Sequence, residues 1–215
     1  MRKGLFISLE GSDGSGKSTQ LDLIKAYFND IGIHPLITRE PGGTVIGEII
    51  RELVLSKKYS EIGDRTEALL YAAARSQHVK EVIAPALELG KVVICDRFID
   101  SSIVYQGYGR KLGEPVKIIN EFAIAGCLPD KTFLFKIDPE IGKSRISAES
   151  RDRLECEKIE FYNEVLRGYE ELERRYPDRF IGIDASGGIE DIHLKIRRHL
   201  NDILEGKYDI KRIEK

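Results

Sequence analysis

The chain of 215 residues is long enough for one domain with a substantial core, and 34 basic against 36 acidic residues leave a formal net charge of −2. This balance argues against a general affinity for nucleic-acid backbones or anionic membranes, so we expect neither as a partner. No apolar run approaches the roughly 18 residues needed to cross a bilayer, and we expect a soluble, cytoplasmic protein.

Short apolar segments alternate with amphipathic ones along the whole chain. Near-continuous apolar runs suit strands that are buried on both faces of a parallel sheet, and strands alternating with helices indicate α/β architecture. The strands are predicted at 4–10, 34–40, 91–97, 131–138 and 179–185. The helices are predicted at 17–30, 44–55, 65–89 with a bend at Pro85, 115–125, 139–148, 156–175 and 189–206.

The residues "GSDGSGKS" at 11–18 match the pattern G-x-x-x-x-G-K-[ST] in full, between a predicted strand and a predicted helix. Glycines let the backbone approach an anion, while successive N–H groups and the positive end of the helix dipole point at it. We therefore expect this loop to bind the phosphates of ATP through Gly11, Ser12, Asp13, Gly14, Ser15, Gly16, Lys17, Ser18 and Thr19.

Two polar side chains are candidates for holding Mg²⁺ beside these phosphates. Ser18 follows the loop lysine, at the position whose hydroxyl binds Mg²⁺ in phosphate-binding loops. Asp96 ends the hydrophobic strand "VVICD" and would bind the metal directly or through water, although a helix-capping aspartate remains the alternative.

Several further motifs recur in one order along the chain: "EGSDGSGKST", "REPGGT", "AARSQHV", "DRFIDSSIVYQG", "LPDKTFLFKIDPE" and "DRLE" ahead of "FYNEVLRGYEEL". Together they resemble the thymidylate kinase family, whose members transfer the γ-phosphoryl group of ATP to dTMP. The resemblance implies a three-layer α/β/α P-loop NTPase fold with a five-stranded parallel sheet in the order 2-3-1-4-5. It also implies one domain over 1–215, a helical lid at about 143–156 and a homodimer.

The resemblance assigns residues to the acceptor dTMP. It places Asp13 near the acceptor and Arg97 on the acceptor phosphate, with Tyr71 stacked on thymine. Arg75 would donate to a base oxygen and Ser102 would contact the base. Tyr105 would pack under the sugar, where a ribose 2′-hydroxyl would clash. Two further positions come from "REPGGT": Arg39, as added charge or as a structural ion pair, and Pro41, after a cis peptide bond.

Phosphoryl transfer needs positive charge over the transferring group, and none of the variable loop positions 12–15 is basic. In the bacterial members that this chain resembles, an arginine of the lid supplies that charge. The candidates are Arg153, which keeps the "DR" pairing and is the first choice, then Arg151, and Arg145 as a support.

Two alternatives stay open at this stage. Another deoxynucleoside or nucleoside-monophosphate kinase would use the same loop with a different acceptor. A nucleotide-dependent regulatory protein would also bind a triphosphate, but it leaves the aromatic and arginine residues between 71 and 105 unexplained.

Overall fold

The structure, a computed structural model, describes residues 4–145, 147 and 152–208. Its strands are β1 (Leu5–Gly11), β2 (Leu36–Arg39), β3 (Val92–Asp96), β4 (Lys131–Lys136) and β5 (Phe180–Asp184). They form one parallel sheet in the order β2-β3-β1-β4-β5, which confirms the fold class and the strand order that the resemblance implied.

Helices cover both faces of this sheet. They are α1 (Lys17–Asp30), α2 (Val45–Leu55), α3 (Asp64–His78), α4 (Ala84–Glu88), α5 (Ile99–Ser102), α6 (Glu114–Ile124), α7 (Pro139–Ser144), α8 (Ile159–Arg175) and α9 (Ile189–Tyr208). Two π-helical segments extend this set: Val79–Ile83 joins α3 to α4, and Ile103–Gly109 continues α5. None of the helices in the described part of the chain has the length and apolar character that crossing a bilayer requires.

Three helical predictions need correction. The predicted helix 65–89 is not continuous α-helix, because the wider π-helical turn at Val79–Ile83 lies just ahead of Pro85, which has no N–H to donate. The predicted helix 139–148 ends at Ser144, and the predicted helix 156–175 begins at Ile159. No helix was predicted over Ile99–Gly109, yet this segment is helical throughout.

The core divides at the sheet, because alternate residues of each strand face opposite sides. Leu5, Ile7 and Leu9 of β1 pack with α1 and α9, where the buried side chains of Ile192, Ile196 and Leu200 form an apolar stripe. On the other face β1 presents Phe6, Ser8 and Glu10, and the two polar side chains are fully buried. This second face therefore carries hydrogen-bonded groups close to the carboxyl ends of the strands.

Candidate active site

A cavity of about 720 Å³ opens at the carboxyl ends of β1, β2 and β3, where ligands bind in open parallel sheets. It brings together fifteen of the residues expected to bind ATP, dTMP or Mg²⁺: Asp13, Gly14, Ser15, Gly16, Lys17, Ser18, Thr19, Arg39, Pro41, Tyr71, Arg75, Asp96, Arg97, Ser102 and Tyr105. Gly11 and Ser12 lie in the same loop without lining the cavity.

The loop 11–16 turns tightly between β1 and α1. Gly14 and Gly16 have φ angles of 75° and 88°, which residues with a Cβ rarely adopt. A Cβ on Gly14 would also come within 2.1 Å of the carbonyl oxygen of Gly142, so the loop rests directly on α7. Glycine is required here both for the turn and for this close approach.

Lys17 folds back across the loop that precedes it. Its Nζ donates to the carbonyl oxygens of Gly11 and Ser12 at 3.0 and 2.9 Å. Burial and the positive charge of Arg97 together lower the pKa of Lys17 from 10.5 to about 8, against the opposing effect of nearby carboxylates. The loop therefore holds a buried cation whose charged form is disfavoured mainly by its burial.

Asp13 and Arg97 form the polar centre of the cavity. Arg97 Nη2 donates to Asp13 Oδ1 at 2.5 Å, and its guanidinium lies over the ring of Tyr105. The hydroxyl of Tyr105 donates to Asp13 Oδ2 at 3.3 Å. Burial raises the pKa of Asp13, but the charges of Arg97 and Lys17 outweigh it and leave that pKa below its usual value. Asp13 is therefore ionised and lies between two cations.

The backbone at Arg97 is held in an unusual conformation by a buried carboxylate that we did not predict. Arg97 has φ 64°, which is costly for a residue with a Cβ. Glu10 accepts from the next backbone N–H, that of Phe98, at 2.8 Å, and from the hydroxyls of Ser101 and Tyr169. Burial and the charge of Asp100 raise the pKa of Glu10 to about 7.

Arg75 lies at the inner wall of the cavity, and only 2% of its surface is exposed. Hydrogen bonds hold its guanidinium in one orientation. Its Nε donates to Glu40 at 2.7 Å, Nη1 donates to Ser102 and Asn120, and Nη2 donates to the carbonyl oxygen of Phe98. A guanidinium has five N–H groups, so among the described residues one N–H of Nη2 is left for a ligand.

The partners of Arg75 were missed by the sequence analysis. Glu40 also accepts from His78 Nδ1 at 2.9 Å, and His78 Nε2 forms a hydrogen bond with the hydroxyl of Thr38 at 2.7 Å. The Glu40–Pro41 peptide bond is cis, as the resemblance implied. Arg39, in contrast, forms a half-exposed ion pair with Glu48, which corresponds to the structural alternative for this residue.

Asp96 lies at the end of β3 and lines the cavity with Lys17 and Ser18. Its Oδ1 atom is buried and has no hydrogen-bond partner among the described residues. A buried carboxylate oxygen without a partner is costly unless a ligand or an ion completes it. The position of this oxygen is therefore relevant to the metal site predicted at Asp96 and Ser18.

The three lid arginines are placed differently. Arg145 lies at the end of α7, donates to the carbonyl oxygen of Gly14 at 3.1 Å and lines the cavity. Arg153 does not line it, although its neighbours Asp152, Leu154 and Glu155 do. The Arg153 side chain donates instead to Glu67 and to the carbonyl oxygen of Val54. Arg151 lies outside the described residues.

The far end of the cavity is a second region that the sequence did not indicate. It is lined by Gln20 of α1, by Ala185 and Gly187 between β5 and α9, and by Ile189 and Ile192 at the start of α9. Gln20 donates to the carbonyl oxygen of Ile189 at 2.8 Å, and its own Oε1 is buried without a partner in the described chain. The cavity thus extends past the phosphate-binding loop on the side away from Arg75.

Comparison with known proteins agrees with this geometry. A family model described as thymidylate kinase matches residues 9–196. The chain is 46% identical over 207 residues to a thymidylate kinase of Geobacillus thermodenitrificans, covering 94% of this chain and 92% of that protein. It is 51% identical over 198 residues to one of Lactobacillus helveticus, covering 88% and 92%.

The architecture also matches a solved structure. The crystal structure of thymidylate kinase from Ehrlichia chaffeensis aligns with a TM-score of 0.76 and 34% sequence identity, covering 92% of this chain and 98% of that one. The matches extend over nearly the whole chain and include every element that lines the cavity. This chain belongs to the thymidylate kinase family.

Proposed function

We propose that this protein transfers the γ-phosphoryl group of ATP to dTMP, producing dTDP and ADP for dTTP synthesis. The observation that supports this most directly is one cavity with a phosphate-binding loop on one side and the buried Arg75 and Tyr71 on the other. Arg97 and Asp13 lie between them, where an acceptor phosphate would meet the transferred group. A regulatory nucleotide-binding protein has no use for the second half of this cavity.

ATP fits the loop side of the cavity. Residues 11–19 would surround its phosphates, with Lys17 released from Gly11 and Ser12 to reach the β- and γ-phosphates. The region around Gln20 and Gly187 would take the adenine base, since Gln20 Oε1 is a buried acceptor without a partner in the described chain. Adenine carries an exocyclic amine that can donate to such an acceptor.

dTMP fits the opposite side. Tyr71 would stack on thymine, the remaining N–H of Arg75 would donate to a base oxygen, and Ser102, near that guanidinium, would contact the base. Arg97 would exchange its bond to Asp13 for a bidentate one to the acceptor phosphate, for which a planar guanidinium is suited. The buried ring of Tyr105 would leave no room for a ribose 2′-hydroxyl.

The residues present also suit Mg²⁺, which we propose as the metal cofactor. Asp96 and Ser18 would hold it, because Asp96 offers a buried oxygen without a partner among the described residues. No group of three or more His, Cys, Asp or Glu in the described ranges could enclose a metal alone. This agrees with Mg²⁺ being held by few protein oxygens, with phosphates and waters completing its shell. When bound, the ion would neutralise charge on the phosphates.

The side chains act by positioning and by charge. An acceptor phosphate oxygen is already largely ionised near neutral pH, so no strong base is needed. Lys17, Arg97 and a lid arginine would place positive charge around the transferring group, which is the main source of rate in this chemistry. We assign that lid position to Arg145, since it already contacts the loop at Gly14, or to Arg151. Closure of segment 143–156 would exclude water.

We also propose that the protein is a homodimer and acts in the cytoplasm. Helices α2, α3 and α6 pack side by side. Their outward faces carry exposed apolar side chains: Ile46, Ile49, Leu69, Ile118 and Phe122, the last 87% exposed. A patch of this kind is typical of a surface that a second subunit covers.

The experiment that tests the function is ADP release from ATP and Mg²⁺ with dTMP, dUMP, dCMP, UMP, AMP and thymidine as separate acceptors. We expect strong release with dTMP, weak release with dUMP and background release with thymidine. Lys17→Ala should abolish transfer, with Lys25→Ala as the matched control, because Lys25 is an exposed lysine of the same helix. A preference for thymidine would identify a nucleoside kinase, and release without acceptor dependence would contradict the proposal.

A further inference from the structure

Glu67, on the first turns of α3, is a fully buried carboxylate that none of the proposed catalytic steps uses. It accepts hydrogen bonds from Gln106 Nε2 at 2.9 Å and from Arg110 Nε and Nη2 at 3.3 and 3.2 Å. It also accepts one from Arg153 Nη2. Charged residues are almost never fully buried unless they are paired, so this arrangement requires an explanation.

The hydrogen bonds of Glu67 extend into the segment that follows the lid. Arg153 belongs to that segment, and its backbone N–H and Nε donate to the carbonyl oxygens of Leu55 and Val54, at 2.9 Å each. These are carbonyls of the last turn of α2, which have no partner within the helix. Arg110 reaches the same segment at Glu157, to which its Nη1 donates at 2.6 Å.

The residues that are hydrogen-bonded to Glu67 also border the side of the cavity proposed to bind dTMP. Tyr71 lies one turn after Glu67 on α3, and both side chains are buried. Gln106 and Leu55 line the cavity, as do Leu154 and Glu155, which flank Arg153. A displacement of Arg153 would therefore move groups that face the acceptor, although Arg153 itself does not face it.

Glu67 keeps its negative charge despite its burial. Burial raises the pKa of Glu67, but the hydrogen bonds and charge of Arg110, with bonds from Gln106 and Arg153, outweigh it and leave that pKa below its usual value. Glu67 is thus an anion between two guanidinium groups. Removing one partner of a buried ion pair leaves an uncompensated charge, whereas removing both costs far less.

We propose that Glu67 is a positioning residue that fastens the base of the lid to α3 through Arg153, and that Arg153 acts through this contact rather than on the phosphates. The inference rests on the proposed function, because it states how the lid of that kinase is held over the acceptor. Glu67 fixes residues 152–157 against α2 and α3, so the cavity side chains of this segment take one position before the substrates bind.

A double-mutant cycle separates this role from direct catalysis. Glu67→Gln, Arg153→Met and the double variant are compared by kcat and by KM for dTMP, with Arg174→Met as a matched control on an exposed pair. We expect each single variant to lose between about 10-fold and 100-fold in kcat, the range that misplaced groups cost, with a smaller change in KM. The double variant should lose no more than the worse single one.

The ratio of ADP formed to dTDP formed is a second readout, which a loss of stability alone would not change. The amount of ADP formed per dTDP should rise above one in both single variants, because a loosened lid admits water to the γ-phosphoryl group. If the two losses in kcat instead multiply, and ADP remains equal to dTDP, then Arg153 acts independently of Glu67 and the proposal is wrong.

Hydrogen exchange tests the contact without relying on activity. The amide of Arg153, bonded to Leu55, and that of Glu157, bonded to Leu154, should exchange faster in Glu67→Gln than in the wild-type protein. Amides of the sheet should be unchanged. Unchanged exchange over 152–157 would overturn the proposal even if the wild-type protein is a dTMP kinase. If Glu67→Gln does not fold, Arg153→Met carries the same measurement, since Arg153 is partly exposed.

Discussion

Replacing Lys17 by methionine should change how the stability of the ligand-free protein depends on pH. Lys17 has little of its surface exposed, and burial together with the nearby charge of Arg97 lowers its pKa from 10.5 to about 8. An unfolded chain restores the ordinary pKa. At neutral pH, burying the protonated Lys17 therefore lowers the unfolding free energy. Methionine removes this cost and has a side chain of similar length.

The sign and size of the effect follow from the two pKa values. Between about pH 8 and 10.5 the unfolded state holds more protons than the folded state, so the wild-type protein gains stability as pH rises through this window. A difference of about 2.5 between pKa values corresponds to about 3 kcal/mol, which is fully present as a penalty below pH 8. Between pH 7 and pH 9 we expect the penalty to fall by about 1 kcal/mol.

Urea unfolding of wild type and Lys17→Met at pH 7 and pH 9 measures this change directly. The unfolding free energy of wild type minus that of the variant should rise by about 1 kcal/mol between the two pH values. Hydrogen bonds lost from Gly11 and Ser12 lower the variant equally at both, so they cancel. Lys25→Met is the control, since Lys25 is exposed on the same helix. A difference that stays constant or falls with pH would refute the reasoning.

Three further outcomes are expected. Tyr105→Phe should keep dTMP phosphorylation within about fivefold of wild type in initial-rate assays, because its hydroxyl donates only a long 3.3 Å bond and such bonds contribute about 1 kcal/mol. Gly14→Ala should abolish ATP binding measured by calorimetry, since its Cβ would meet the carbonyl of Gly142 at 2.1 Å. Leu200→Ala should lower the unfolding free energy by about 2–5 kcal/mol in urea, whereas Leu194→Ala, half exposed, should change it far less.

The sequence predicted the fold where local pattern and tertiary structure agree. Ile192, Ile196 and Leu200 repeat at helical spacing and are buried on α9, within the helix predicted at 189–206. The central strands β3 and β4 were found because runs buried on both faces are nearly continuous in apolar residues, whereas β2 and β5 at the edges are only partly buried. Strand order is different: it depends on which crossover follows which strand, and here it came from the resemblance rather than from periodicity.

The segment Ile99–Gly109 could not be predicted as helical from its own residues. It contains β-branched side chains and two glycines, which have low helix propensity. In the structure it packs against α8 and α6, so tertiary contacts outweigh propensity. Its π-helical part presents both Tyr105 and Gln106 to the cavity. The wider π-helical turn therefore allows two consecutive residues to face the cavity. π-helical segments are often found at functional sites.

The candidate site was predicted in its anion-binding residues and missed in the residues that hold them. Motifs indicate Lys17, Asp13 and Arg97 because their types and spacing reflect phosphate chemistry. Asn120 and His78, in contrast, reach their partners only through tertiary packing, so their contacts could not be predicted, although His78 lies within the quoted motif "AARSQHV". The orientation of Arg153 was missed for a similar reason, because a sequence does not state which side of a turn faces the cavity.

Three buried glutamates suggest why so many unpredicted residues surround this site. Glu10 accepts from Ser101, which in turn accepts from Arg97; Glu40 binds Arg75, and Glu67 binds Arg153. An arginine must be aimed before an anion arrives if it is to hold that anion without further ordering. A carboxylate can fix a guanidinium in this way, but each buried one carries a cost of desolvation. The structure thus fixes the orientation of its arginines at a cost to the stability of the fold. Replacing both members of a glutamate–arginine pair by neutral residues should separate these two effects. Activity should fall, whereas the unfolding free energy should change much less than when one member alone is replaced.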